Sequence, residues 1–225
     1  MLVEVLGDLL PPAVGIAISP VPIIAVILML LSVDARKTAP AFAIGWLLGI
    51  AVVALVVMLL VPPSSGDSGS GTSTGVGWLK LLLGVFLIAL AVRNWRKRPK
   101  AGETAELPKW MAGVDRMKPL AALGLGAALS AVNPKNLPLA LAGGLSLATV
   151  DGGGQQAIGL LVFVLLAGAT VLVPVVVYLA ATEKMAPKLT ELKEWLAQNN
   201  AVVMAVVLLV LGVTLLGKGL AGAAG

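Results

Sequence analysis

The sequence predicts an all-α integral membrane protein whose six transmembrane helices form two inverted three-helix repeats, with the first and fourth helices broken at proline motifs. Three observations predict this. The 225 residues are 59% hydrophobic and only 12% charged, against roughly 25% charged in soluble domains, which excludes a soluble globular domain. Six apolar stretches approach the roughly 20 residues that cross a bilayer core of about 30 Å as a helix. Proline clusters fall at corresponding places in the first and fourth of these stretches.

In chain order the stretches cover residues 9–33, 38–61, 77–92, 119–150, 157–181 and 201–220. The first is preceded by Glu4 and Asp8, and no basic residue comes before Arg36. It therefore lacks the basic n-region of a signal peptide and reads as part of the mature chain. The second carries Gly45 and Gly49, a GxxxG pair that reads as close helix packing or a homodimer contact. Residues 62–76 follow, opening with Pro62-Pro63 and continuing as a Ser/Gly run without a basic residue, so they read as a flexible extracytoplasmic linker. The third stretch is short and spans only if Arg93 and Trp95 sit at the interface.

Orientation comes from charge. Arg93, Arg96, Lys97, Arg98, Lys100, Lys109, Arg116 and Lys118 crowd between the third and fourth stretches, and basic loops stay in the cytoplasm. If all six stretches cross, Arg36, Lys37, Lys184, Lys188 and Lys193 join them inside, leaving Lys80 and Lys218 outside. If the first and fourth are re-entrant hairpins, Lys218 moves inside while Lys184, Lys188 and Lys193 move out, a poorer fit to the same rule. Two cytoplasmic segments have helical apolar spacing: Leu107, Trp110, Met111, Val114 and Met117, and, after Pro187, Leu189, Leu192, Trp195 and Leu196. They read as anchors in the headgroup layer.

The first break is Ser19-Pro20-Val21-Pro22 and the second Asn133-Pro134-Lys135-Asn136-Leu137-Pro138. Each is followed by a polar turn, at Asp34 or Asp151, then an uninterrupted stretch, then a last one containing Leu83-Gly84-Val85 or Leu211-Gly212-Val213. Two halves follow, 1–100 and 119–225, joined by a basic linker 101–118. An odd number of spans per half inserts the second upside down. Proline removes a helix donor and clashes with the preceding turn, at about 3 kcal/mol. Backbone groups freed at that depth must be buried in protein or line a cavity, and paired interruptions of this kind point to a transport site.

Lys135 is the only charge deep in a stretch, where a cation costs roughly 2.5 to 3.5 kcal/mol on insertion scales and usually marks a pathway. Asn133 and Asn136 add amides, and the half-helix after the break offers free N–H groups and a positive dipole end. With Pro134, Pro138, Ser19, Pro20 and Pro22 they form the candidate substrate site, suited to an anion. The competing reading of Lys135 is a stem that snorkels or pairs a free carbonyl at the break. Ser130 and Thr170 read as packing hydroxyls, Pro174 as a kink and Tyr178 as an interface anchor.

The absence of Cys and His removes disulfides, thiolate and imidazole metal sites, and Cys or Ser-His-Asp nucleophiles. No acidic residue lies within an apolar stretch to replace them, so neither an enzyme nor a cofactor is expected. The formal charge of +5 reads as topology, not as a nucleic-acid surface.

The Ser19–Pro22 break, the Asn133–Asn136 break, the basic central loop and the six-span layout together resemble the GAP family of actinobacterial membrane proteins, also called sulfolipid-addressing or peptidoglycolipid-addressing proteins, of the LysE superfamily of exporters. The resemblance covers nearly the whole chain. It implies an inner-membrane protein that helps a glycolipid, or its lipid-linked precursor, reach the cell surface. An exporter of small metabolites such as amino acids, and a non-transporting scaffold acting through the basic loop, are the alternatives. The thiol chemistry of related cytochrome-biogenesis transporters is excluded by the lack of Cys.

Overall fold

The computed structural model describes residues 2–60, 70–99, 103, 109–150, 152–180 and 182–223. Among them all regular structure is helical: α1 (Leu2–Ala17), α2 (Pro20–Leu30), α3 (Ala35–Leu60), α4 (Ser70–Arg96), a 3₁₀ segment (Lys109–Arg116), α5 (Pro119–Ala131), α6 (Asn136–Ala148), α7 (Gly153–Ala180) and α8 (Thr182–Ala223). Four helices are long and apolar enough to cross a membrane, or five if the pair α1 and α2, bent by 56°, counts as one broken span. The chain is a multi-helix membrane protein. At 13 residues each, α5 and α6 rise only about 20 Å apiece, too short to span alone.

Both expected breaks are present, and the prolines explain their form. Pro20 and Pro22 occupy the first turn of α2, where a missing N–H costs nothing, and Ser19 before them is extended at φ −122°, ψ 96°. Pro119 likewise opens α5. In the second break, α5 stops at Ala131 and α6 resumes at Asn136, with Pro138 in its first turn.

Neither half-helix pair doubles back. Asp8 of α1 meets Lys218 of α8, Gly15 packs on Leu211, and Pro20 and Pro22 share a cavity wall with Leu208, Met204 and Asn200, so the chain advances steadily along α8 through its break. The second pair does the same along α3. Gly126 of α5 lies on the backbone of Phe42 and Trp46, Ala127 on Gly49, and Gly144 of α6 on Ala54 and Val57.

Small residues set the helix contacts. Gly45 and Gly49 pack directly against the backbone of α5 at Leu123 and Ala127, so this GxxxG is occupied within the chain. The two Leu-Gly-Val tripeptides meet each other. A Cβ at Gly84 would stand 2.9 Å from the Gly212 carbonyl oxygen, and one at Gly212 2.9 Å from the Gly84 oxygen; farther along, Gly219 approaches the Gly77 oxygen in the same way, also at 2.9 Å. As α8 advances α4 recedes, so the two are antiparallel and cross through a reciprocal glycine contact. The outward faces, such as Ile44, Leu48, Val52 and Leu59 of α3, are apolar and exposed, as a lipid-facing surface requires.

Several boundaries differ from expectation. The third helix begins at Ser70 and not at Gly77, so part of the 62–76 linker is helical, while residues 61–69 lie outside the described residues. The segment after Pro187 is not a separate surface helix. It is continuous with the last span in α8, whose 42 residues reach about 63 Å at 1.5 Å each, twice a bilayer core. Leu189 and Leu196 are buried while Leu192 and Trp195 are exposed. In the central linker, Met111 and Val114 are buried in the core cluster of a 3₁₀ segment packed on α2, so they serve the fold and not the headgroup layer. Leu107 lies outside the described residues. Tyr178 packs on the core, half-buried, and Pro174 sits within an unbroken α7.

Candidate functional site

A helix ending inside a membrane leaves its last carbonyls without partners, and the break at Ala17 shows how this chain satisfies them. Lys135 Nζ donates to Gly15 O at 2.6 Å and to Ile18 O at 3.0 Å. Ser19 Oγ donates to Ile16 O at 2.7 Å, and Thr170 Oγ1, from α7, donates to Ala17 O. Every residue from Gly15 to Ile18 thus has its carbonyl met by a side chain. The ammonium also sits at the negative end of the α1 dipole, where a cation is favoured. Lys135 is 3% exposed.

The second break is closed by its own amides. Asn133 Oδ1 accepts from the Lys135 backbone N–H at 3.0 Å, a local turn that holds the Lys135 backbone in place. Asn136, fully buried, donates through Nδ2 to Leu129 O near the end of α5 at 3.3 Å, and its Oδ1 lies 3.4 Å from Ser19 Oγ. Two sequence motifs 117 residues apart are thereby joined in one polar cluster. Ser130 Oγ stays on its own helix, donating to Ala127 O.

Beside this cluster lies an open cavity of about 330 Å³. Ser19, Pro20, Pro22, Asn133, Pro134 and Lys135 line it, whereas Asn136 and Pro138 are buried outside its wall. Its other wall was not anticipated from sequence: Leu90, Arg93 and Asn94 from the end of α4 and Lys97 from the turn after it, with Asn200, Met204 and Leu208 from α8. Arg93 and Lys97 read as topogenic charges because nothing local distinguishes them from Arg96 or Arg98. Their spacing of four residues, which puts both on one helix face, was the available signal. Asn200 Oδ1 is buried without a hydrogen-bond partner.

On the opposite side of the break a second, much smaller space of about 20 Å³ is lined by Pro11, Pro12, Leu139, Ser146, Leu211 and Lys218. The Asp8–Lys218 ion pair borders it. Among the described residues no group of three or more His, Cys, Asp or Glu could hold a metal.

An apolar helical chain with two helix breaks tied together at depth has a counterpart among known families. The model of the family described as Sap, sulfolipid-1-addressing protein, matches residues 9–221. The chain belongs to this family. That match runs through both breaks, every residue that lines the larger cavity and the α4–α8 crossing. No curated protein and no solved structure matches the chain. The sulfolipid-addressing family and the apolar helices together indicate a membrane protein involved in lipid export.

Proposed function

We propose that this chain moves an anionic or amphipathic lipid-type substrate, a glycolipid or a lipid-linked precursor, across the inner membrane by alternating access around the two helix breaks. The observation that carries this is the open cavity against the Lys135 cluster, polar and cationic on some walls and apolar on others. A headgroup fits the polar walls and acyl chains the apolar ones. Lys135 has three N–H donors; two go to α1, and the third, with Asn133 and the Ser19 region, serves the substrate.

The architecture in this reading is six spans in two inverted repeats, 1–100 and 119–225, with 101–118 as a cytoplasmic linker. The forward course of both broken pairs and the reciprocal, antiparallel Gly84–Gly212 contact support it, since an axis in the membrane plane relates equivalent helices in this way. The large cavity then faces the cytoplasm and the small one the outside, so the chain rests open inward. The test is reconstitution of the purified full chain alone into vesicles holding a headgroup-labelled anionic glycolipid. Movement of the label between leaflets, absent from empty vesicles, is the expected result. No movement from a folded, correctly inserted protein would overturn the transport reading and favour a scaffold.

In the same reading Asp8–Lys218 latches the outer face. Because the chain has no cysteine, a single Ser146→Cys reports access to the small cavity. Adding Lys218→Gln is expected to raise its maleimide labelling by up to about fivefold, since a partly exposed pair is worth up to about 1 kcal/mol. The swap Asp8→Lys with Lys218→Asp is expected to return it to the starting rate. Unchanged labelling in Lys218→Gln would remove the latch.

A further inference from the structure

We infer that Arg93 and Lys97, together with the Asn200 side-chain oxygen, form a headgroup subsite that selects a phosphate or sulfate ester carrying free hydroxyls. This rests on the transport reading above and names the chemistry its cavity accepts. Arg93, in the last turn of α4, and Lys97, in the turn that follows it, both line the cavity. Neither has an ion-pair partner among the described residues. Like charges at this spacing repel by a few tenths of a kcal/mol on an isolated helix, and no carboxylate lines the cavity to neutralise them. Two unneutralised cations facing one concave space are a site for a divalent or diffuse oxyanion, to which the arginine fork can bond in bidentate fashion.

Asn200 specifies more than charge. Its Oδ1 is buried and accepts from nothing, and such an orphan acceptor costs about 1–3 kcal/mol until a donor arrives. An oxyanion brings no donor; a hydroxyl does. The Asn133 oxygen is committed to the Lys135 backbone, so among the described residues the buried acceptor on this wall that still lacks a donor is that of Asn200. Leu90, Met204, Val21 and Leu208 supply the apolar remainder. The complement is an anionic ester next to hydroxyls, with an aliphatic part beside it.

A general attraction of basic segments to anionic lipid, about 1 kcal/mol per charge near the surface, is the competing account, and equal charge removal separates the two. Phosphatidylinositol, phosphatidic acid, phosphatidylcholine and soluble inositol phosphate are titrated onto the full chain in neutral detergent and read by native mass spectrometry. Wild type is expected to bind phosphatidylinositol most tightly. Arg93→Gln with Lys97→Gln should weaken it about tenfold or more, the loss of at least one charge-assisted bond, while Arg96→Gln with Arg98→Gln changes it little. Asn200→Leu should abolish the preference for phosphatidylinositol over phosphatidic acid. The exchange Arg93→Lys with Lys97→Arg, retaining both charges, guards against a folding effect by restoring most of the binding.

Equal losses from the two double variants, or an unaltered preference in Asn200→Leu, would overturn the subsite. Inositol phosphate binding as tightly as phosphatidylinositol would identify a soluble ester and not a lipid as the source of the headgroup, against the lipid source expected here. Binding that follows Arg93 and Lys97 without any movement of labelled lipid in vesicles would leave the subsite standing and overturn transport. Transport that persists with full affinity in the Arg93→Gln, Lys97→Gln chain would do the reverse.

Discussion

Lys135→Met is expected to destabilise the chain more than it weakens headgroup binding. The substitution keeps the length of the stem but removes the donors to Gly15 O and Ile18 O. Both carbonyls belong to the interrupted end of α1, and at this depth no bulk water replaces the lost bonds. A buried polar group left unmade costs about 1–3 kcal/mol, so the two together are worth about 2–5 kcal/mol. The effect should appear as a fall of several degrees in the thermal unfolding of detergent-purified protein, followed by tryptophan fluorescence. It should extend to the relation between α1 and α6, because Lys135 bonds from one break to the other. Phosphatidylinositol affinity should fall less than in the Arg93→Gln, Lys97→Gln chain. A Lys135→Met protein with wild-type unfolding but no anionic-lipid binding would reverse this assignment and make Lys135 the principal anion ligand.

The second large effect is at the α3–α5 contact. Gly45→Val should prevent the two helices from packing, since any Cβ there runs into the carbonyl of Leu123. The obstacle is backbone, which cannot turn aside as a flexible side chain does, so the helices must separate and lose the neighbouring contacts of Gly49 and Gly126 as well. Overpacking costs typically 1–3 kcal/mol, and a backbone clash in the middle of a helix pair belongs at about 3 kcal/mol. The expected result is a large loss of monodisperse protein on size-exclusion chromatography. Gly124→Ala is the matched control. It lies on the same contact partner, α5, but has open space around it, and replacing a mid-helix glycine there should leave stability unchanged or raise it by up to about 1 kcal/mol. Equal behaviour of the two variants would contradict the packing described here.

The breaks were legible because proline acts locally. A ring without an N–H removes a helix bond and crowds the preceding turn, and although Pro174 and Pro187 lie inside continuous helices, Pro20, Pro22, Pro134 and Pro138 sit where helices stop or start. The Lys135 cation was legible by a similar argument, being a lone charge in an apolar run. What it does was not. Whether an ammonium meets a substrate anion or a helix carbonyl depends on which chain segment lies within 3 Å of it, and the segment that does lies at Gly15–Ile18. The GxxxG of Gly45 and Gly49 was ambiguous for the same reason, because a small-residue face fits a second copy as well as it fits α5.

By itself, then, the sequence determined the membrane class and the helix breaks, both of which depend on composition or on interactions within a few residues. Tertiary structure alone decided that α8 is a single long helix carrying the amphipathic segment, that Met111 and Val114 pack on α2, and that the end of α4 faces the middle of α8 beside the first break. The cavity is the clearest case. Arg93 and Lys97 come from the end of α4 and the turn after it, the unpartnered oxygen from a residue more than a hundred positions later, and Lys135 and the floor from the proline motifs. Hydrophobic periodicity records which face of each helix is buried, but it carries no information on which other helix covers that face, and a site assembled from several helices exists only once that choice is made.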